Sequence, residues 1–322
     1  MRDEVVEVIA NPGSAGGRGA RAIDRLRKRL DDEGMPHTIH RTDGPGDAHR
    51  WARERPERDR SGPILVLGGD GTLHEVANGL MALETSEPRP PIALLPVGTG
   101  NDFHRMLRSE GGLDPLVQVL RSGVERPFDV GRVRFDGGER VFVNLLGIGL
   151  DVAVLERRAR FRLLPGLLQY LAALMVALVR FRPIPMAVEY DDESGSRHRL
   201  EGRTLLTAVT VGPSVGGGFK LSPDARPDDG LLDLFQVERL SPGEIMVHLP
   251  RVLRGTQREG PRIHLRTLRT AEISRLDGSR FSFELDGELM AEDTSRLEIE
   301  LLPGALTFLD VPEPIPSMGN GR

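Results

Sequence analysis

Apolar runs of four to six residues alternate with amphipathic stretches through the first third of the chain, and this alternation predicts strand-helix units. Residues 5–10 read as a strand, 19–33 as a helix, 38–41 as a strand and 48–55 as a helix. The runs at 63–67 and 92–95 have the unbroken apolar texture of buried parallel strands. In the first helix Ala22, Ile23, Leu26 and Leu30 make one face, and Arg25, Arg27, Lys28 and Arg29 make a solvated one. Leu73, Val76, Ala77, Leu80 and Leu83 repeat at helical spacing after the third strand, and Phe103, Met106 and Leu107 mark a further helix. Together these units predict an α/β domain with a parallel sheet.

From about Arg126 the pattern changes to short β-branched and apolar segments separated by Gly, Pro and Asp. Strands are expected at 129–135, 140–146, 186–190, 204–211, 231–237, 262–268, 271–274, 281–285 and 297–301. One segment departs from this texture. Residues 163–179 are almost wholly apolar, with Arg157, Arg158, Arg160 and Arg162 before them and Arg180 and Arg182 after. A membrane-spanning helix needs about 20 apolar residues, and Pro165, Gly166 and Gln169 weaken that reading further. Two readings stay open: a buried helix packed on the second domain, or an interfacial helix. In the second, the arginines reach anionic headgroups while Leu167, Leu168, Leu171 and Leu174 touch acyl chains.

The expected organisation is an α/β domain over 1–124, a β-rich domain over 125–300 with an inserted apolar helix near 163–180, and a C-terminal segment over 301–322. The run containing Pro312, Pro314 and Pro316 reads as a frayed tail. At 322 residues, 39% hydrophobic and 28% charged, the chain has the composition of a soluble globular protein. A net charge of -5, one Trp and two Tyr make nucleic acid a poor partner. The absence of Cys excludes a disulfide framework, a thiolate zinc site and a thiol nucleophile. The first residues lack the apolar core of a secretory signal, so a cytoplasmic location is expected.

The chemistry concentrates in two glycine-rich turns, Gly68-Gly69-Asp70-Gly71-Thr72 and Gly98-Thr99-Gly100-Asn101-Asp102, each between an apolar strand and a helical pattern. Glycines let an anion approach the backbone, and the following helix N-terminus supplies N–H groups and partial positive charge. In a parallel sheet both turns lie beyond the carboxyl ends of the strands and face one cleft. Thr72 and Glu75 have capping-box spacing. Asp70 would repel a phosphate unless a divalent cation lay between them, so the pair of turns points to a metal nucleotide.

Other motifs fail on context. Asn11-Pro12-Gly13-Ser14-Ala15-Gly16-Gly17-Arg18-Gly19 lacks the Lys and hydroxyl residue of a P-loop, and His74-Glu75 is followed by Asn78 where a zinc peptidase carries a second histidine. Gly212-Pro213-Ser214-Val215-Gly216 matches an esterase elbow, yet Gly217-Gly218-Phe219 leads into no helix.

The full motif series resembles the bacterial diacylglycerol kinase family, related to sphingosine kinases and more distantly to NAD kinases. It comprises Asn11-Pro12 with Ser14 and Gly16, the two glycine-rich turns with Glu75 and Pro96, then Asn144 with Gly147-Ile148-Gly149-Leu150-Asp151. Gly216-Gly217-Gly218, Asp228-Asp229-Gly230-Leu231-Leu232-Asp233 and Asp286-Gly287-Glu288 complete it. The resemblance implies an α/β nucleotide domain, a C-terminal all-β sandwich and a chain end that returns to the first domain. It implies ATP as phosphate donor, Mg2+, and a diacylglycerol-like or sphingoid-like lipid acceptor met at the inner membrane face; a homodimer is compatible with it. Carried over residue by residue, Thr42, Gly69, Asp70, Gly71, Thr72, Leu73, His74, Glu75 and Thr99 contact ATP, while Asn11 and Asn101 shape the pocket. Glu288 matches the general base, Asp286 supports it or the metal, and Asp70 lies by the metal and phosphates. Arg226, Asp229 and the Leu231 carbonyl match a second, structural magnesium site, with Gly230 favouring Asp229 over Asp228. Relatives carry Asn and an aromatic residue where this chain has Pro213 and Val215, so the acceptor pocket departs from the pattern. An NAD kinase-like enzyme and a non-catalytic nucleotide-binding regulator are the alternatives.

Overall fold

The computed structural model describes residues 5–54, 62–83, 89–161, 164, 166–290 and 293–313. Four parallel strands come first: β1 (Val6–Ala10), β2 (His37–Arg41), β3 (Ile64–Gly68) and β4 (Ile92–Pro96), side by side in the order β2-β1-β3-β4. Every residue of β1 and β3 is buried, which accounts for their unbroken apolar sequences. Helices α1 (Ser14–Asp32) and α4 (Leu113–Ser122) cover one face, packing Ile23, Leu26, Leu116 and Val119 on Val8 and Leu65. Helices α2 (Asp47–Arg53) and α3 (Asp70–Met81) cover the other with Ala48, Ala52, Val76 and Leu80 against Ile9 and Val66.

The regular right-handed part of α1 begins near Gly19, as expected, because Ala15, Gly16 and Gly17 first carry the chain through a left-handed turn with φ of 49, 69 and 91°. Two other local expectations are corrected. Residues Phe103–Met106 form a single 3-10 turn, and Leu107 is already extended. The Thr72–Glu75 capping box does not form. Gly69 stands at the N-cap of α3 without any side-chain cap; Thr72 Oγ1 instead accepts from Asn11 Nδ2 at 3.2 Å, and the Glu75 carboxylate accepts the Gly46 and Ala48 N–H groups at the start of α2.

The rest of the chain adds β5 (Val124–Phe135), β6 (Gly138–Phe142), β7 (Leu145–Gly149), β8 (Ile184–Asp191), β9 (Arg197–Thr210), β10 (Leu232–Glu238) and β11 (Ile263–Leu268). Then follow β12 (Thr270–Arg275), β13 (Phe283–Leu285), β14 (Glu288–Leu289) and β15 (Arg296–Asp310). These strands pair antiparallel and wrap one apolar core that draws Val133, Phe142, Val188, Val209, Leu234, Ile273, Phe283 and Leu297 from eight of them. The protein is thus a parallel α/β region joined to a β-rich, sandwich-like region. The run expected as one strand over 140–146 is two, separated at Val143 and Asn144, whose N–H groups turn to the Asp286 carboxylate.

Among the described residues three α-helices interrupt the second region: α5 (Leu150–Arg158), α6 (Gly166–Arg180) and α7 (Pro242–Arg254). Only α6 is expected from the apolar run. Its Ala173, Leu174 and Ala177 are buried against the strands and α5, while Leu168, Met175 and Val179 are exposed, Val179 to 84%. The helix therefore has both an inward and an outward apolar face. Arg162, Leu163, Pro165 and the proline-rich tail beyond 313 lie outside the described residues, as does the Leu167 side chain. Among the described residues no helix is long and apolar enough to cross a membrane.

Strand β15 joins the two regions. Its first half pairs with β12 and the second half of β5; its last residues pair with Val124–Phe128 and run parallel to β4, with Phe308 opposite Ile92. Phe308, Phe128 and Phe103 pack there as tilted rings with centroids 4.5 to 5.6 Å apart, fixing the second glycine-rich turn onto the strand.

Candidate active site

Both glycine-rich turns and the Asp286-Gly287-Glu288 hairpin line one cleft of about 920 Å³. The turns touch backbone to backbone. A Cβ on Gly98 would lie 2.6 Å from Gly69 Cα, and one on Gly69 would lie 3.0 Å from Gly98 Cα, so no side chain fits at either position. Asp70, the first residue of α3, reaches across to accept the N–H groups of Asp102 and Phe103, both at 3.2 Å. The uncapped N-terminus of α3 opens into the cleft through Gly69, Asp70, Gly71 and Thr72.

The sequence-derived residues fall into three positions. Asn11, Thr42, Gly69, Asp70, Gly71, Thr72, Leu73, His74, Glu75, Thr99, Asp286 and Glu288 line the cleft. The Leu73 side chain itself is in the core beneath the turn. Asn101 supports the second turn from φ 52°, donating to the Gly98 carbonyl at 3.1 Å. Arg226, Asp229 and Leu231 are absent from the cleft lining; Asp229 accepts the Leu231 N–H at 3.1 Å within its own turn, and Arg226 lies 3.8 Å from Asp228.

The hairpin explains how a carboxylate from the second region arrives at the nucleotide loop. Asp286 and Gly287 take φ of 52 and 88°, the left-handed pair of a tight turn between β13 and β14. Asp286 is buried and accepts from His74 Nδ1 at 2.8 Å and from the N–H groups of Val143, Asn144 and Leu145 at 2.8 to 3.0 Å. Its oxygens are committed to anchoring the turn. Glu288, next but one, extends over α3, where its Oε1 is 2.5 Å from the position of a Cβ on Gly71. The Glu288 tip reaches solvent, yet the walls around it raise its pKa through desolvation, with His74 and Arg158 opposing.

Electrostatics make the site acidic. Among the described lining residues are eight carboxylates and one arginine, Arg158. Burial, then the charge of Asp102, pushes the Asp70 carboxyl up to about 6, and burial raises Asp102 as well. One oxygen of each, Oδ2, converges on Gly100, 3.1 and 3.2 Å from a Cβ position there; Asp102 Oδ2 also accepts the Gly217 N–H at 2.6 Å, and its Oδ1 lies 3.5 Å from Arg105 Nε. Two carboxylates so placed would offer oxygen ligands to a hard divalent cation. Among the described residues no cluster of three or more such side chains forms a closed cage. A magnesium ion held by this pair would have to complete its shell with phosphate oxygens and water.

Sequence reasoning did not single out Glu284, Tyr170 or Arg158 as cleft residues. Glu284 gives no local signal, because Leu285 pairs with Glu288 across the turn and Glu284 and Glu288 leave the hairpin on opposite faces. Tyr170 has none, because only the folding of α6 over α5 brings its hydroxyl to Asp151 at 2.6 Å.

Paired glycine-rich turns at the ends of parallel strands, with an opposing carboxylate, have the layout that a phosphotransferase needs. The sequence matches the diacylglycerol kinase catalytic domain over residues 5–133 and the YegS C-terminal NAD kinase beta sandwich-like domain over 144–310. A diacylglycerol kinase of Bacillus subtilis strain 168 is 32% identical over 77% of this chain and 78% of its own length; one from Staphylococcus saprophyticus is 27% identical over 87% and 88%. A crystal structure from Bacillus anthracis presented as that of a diacylglycerol kinase superposes with a TM-score of 0.75 at 26% identity, covering 96% of this chain and 98% of that one. The chain belongs to the diacylglycerol kinase family, and it is a lipid kinase that phosphorylates an alcohol group.

Proposed function

We propose that the protein transfers the γ-phosphoryl group of ATP to the free hydroxyl of a diacylglycerol-like lipid, giving a phosphatidate-like product. The observation that carries this reading is the seat of Glu288 against Gly71, which brings a carboxylate of raised pKa to the helix N-terminus suited to a triphosphate. Phosphoryl transfer is mainly positioning and charge stabilisation, so the chain must hold the phosphates, align the hydroxyl and accept one proton.

The N-terminus of α3 and the second turn hold the phosphates, and Arg158 adds the cleft's guanidinium charge. Glu288 takes the proton of the attacking hydroxyl on one carboxylate oxygen, while Asp286 and His74 keep its turn in place. Asp70 and Asp102 would hold magnesium, which when bound offsets the phosphate charge. A second magnesium at Asp229 and the Leu231 carbonyl, near Arg226, belongs to the same reading as a structural element. The outward apolar face of α6, with Arg180 and Arg182 at its end, suits peripheral contact with an anionic inner membrane face.

Labelled ATP, magnesium and a panel of glycerides and sphingoid bases test it. Label is expected in the phosphatidate-like product of a diacylglycerol. Transfer confined to sphingoid bases would replace the acceptor, and ATP binding without transfer to any lipid would sink the reading.

A further inference from the structure

Two carboxylates in the wall of the cleft take no part in the transfer chemistry above. Asp151, the second residue of α5, and Glu284, the middle residue of β13, both line the cleft and are 6% and 0% exposed. Each has one oxygen satisfied: Asp151 Oδ1 accepts the Tyr170 hydroxyl at 2.6 Å, and Glu284 Oε2 accepts the Gly287 N–H at 2.7 Å. The other oxygens, Asp151 Oδ2 and Glu284 Oε1, are buried without a hydrogen-bond partner.

These two orphan oxygens meet over Gly147. Glu284 pairs directly with Gly147 across β13 and β7, and each orphan lies 2.6 Å from the position of a Cβ on that glycine. Gly147 is not among the residues of positive φ, so its backbone would accept a side chain. What demands glycine there is the space in which the two oxygens converge. Burial and the Asp151 charge raise the Glu284 pKa well above the usual carboxylate range, which is the cost of packing two acids together without an opposite charge. Other acids of the cleft are compensated: Glu75 accepts N–H groups at the start of α2, and Asp286 accepts those of Val143, Asn144 and Leu145.

Resting on the phosphoryl-transfer reading above, the geometry points to a further divalent-cation site at Asp151 and Glu284, separate from the Asp70–Asp102 pair and from the Asp229 turn. A divalent ion balances the charge of both acids and gives each orphan oxygen a partner. Magnesium is commonly held by one or two carboxylates, with water and phosphate oxygens filling its remaining positions. The ion would stand behind the turn that carries Glu288, because Glu284 grips that turn through Gly287. From there it offsets phosphate charge on the second region's side of a cleft whose described lining holds a single arginine. A proton shared between the two oxygens is the competing way to relieve their repulsion.

Manganese, used with the intact, nucleotide-free protein, separates the two. Crystals soaked in manganese chloride should show an anomalous peak between Asp151 Oδ2 and Glu284 Oε1. In solution, with free manganese followed by electron paramagnetic resonance, Glu284→Gln and Gly147→Ala should each bind one ion fewer than the parent. The first variant mimics the protonated pair, since the amide donates to Asp151 while its oxygen accepts from Gly287; the second keeps both acids and fills the space between them. Glu284→Gln should also lower kcat about tenfold at saturating ATP and remove activation by magnesium in excess of ATP. Equal manganese counts in the parent and both variants, with no anomalous peak at the pair, would overturn the site in favour of the shared proton. Should the variants unfold, the anomalous map of the parent decides alone. Manganese bound at this pair in a protein that transfers no phosphate would remove the transfer reading and keep the site, whereas transfer without manganese there removes the site alone.

Discussion

Glu288 occupies the space that a side chain at Gly71 would need. The two residues come from regions joined only late in the chain, and Glu288 Oε1 stands 2.5 Å from the Gly71 Cβ position. Gly71 lies in a regular helical turn without a positive φ, so alanine suits the backbone there and raises helix propensity by about 0.5–1 kcal/mol. Gly71→Ala should therefore melt at or above the parent temperature while turnover falls at least about tenfold, because the new methyl displaces the Glu288 carboxylate. Thermal unfolding and kcat measured together check this; unchanged turnover would show that the seat is not needed.

Glu288→Gln keeps the size of the side chain and removes its ability to accept a proton. Turnover should fall about 10²-fold or more, with nucleotide affinity similar to the parent. A parallel assay of ATP binding and lipid phosphorylation separates the two effects, and near-normal turnover would exclude Glu288 as the base.

The raised carboxyls predict a pH response. Asp70 is pushed up to about 6 and must be ionised to hold a cation, so kcat/KM for ATP should fall as pH drops through about 6. Magnesium favours the ionised form, and raising its concentration should move that limb to lower pH. Stability runs the other way. The folded protein binds this proton more tightly than the unfolded chain, so without metal the Asp70 contribution to stability is lost as pH rises through about 6. Asp70→Asn should abolish the magnesium-dependent displacement, and its persistence in that variant would contradict the assignment.

Asp286 is expected to matter for folding as much as for turnover. Asp286→Ala leaves the N–H groups of Val143, Asn144 and Leu145 without their acceptor, and each buried orphan costs about 1–3 kcal/mol. Urea unfolding should show a loss of roughly 3 kcal/mol or more together with near-complete loss of activity. A loss below about 1 kcal/mol would mean that another group takes over the turn.

The legible parts were those governed by local pattern. Residues 64–67 carry their burial in an unbroken apolar run, and Gly69 and Gly98 mark a close approach that only glycine allows. What stayed hidden depends on partners distant in sequence. Thr72 and Glu75 have the spacing of a capping box, yet Asn11 takes the hydroxyl and the start of α2 takes the carboxylate. Asp286 looks like an acidic turn until the edge of β7 fills its oxygens. Helix α7 was readable and missed: Ser241 and Glu244 form a true capping box at its start, with Pro242 as its first residue. The Tyr170–Asp151 pair has no local signature at all.

Strand β15 follows every other strand among the described residues, yet it borders β4 in the parallel sheet and supplies Phe308 beneath the second turn. During synthesis the nucleotide region therefore waits, with one sheet edge bare, until nearly all of the second region has left the ribosome. Exposed edges of this kind invite aggregation, so the first half of this chain is poorly suited to being expressed or inherited as an independent module.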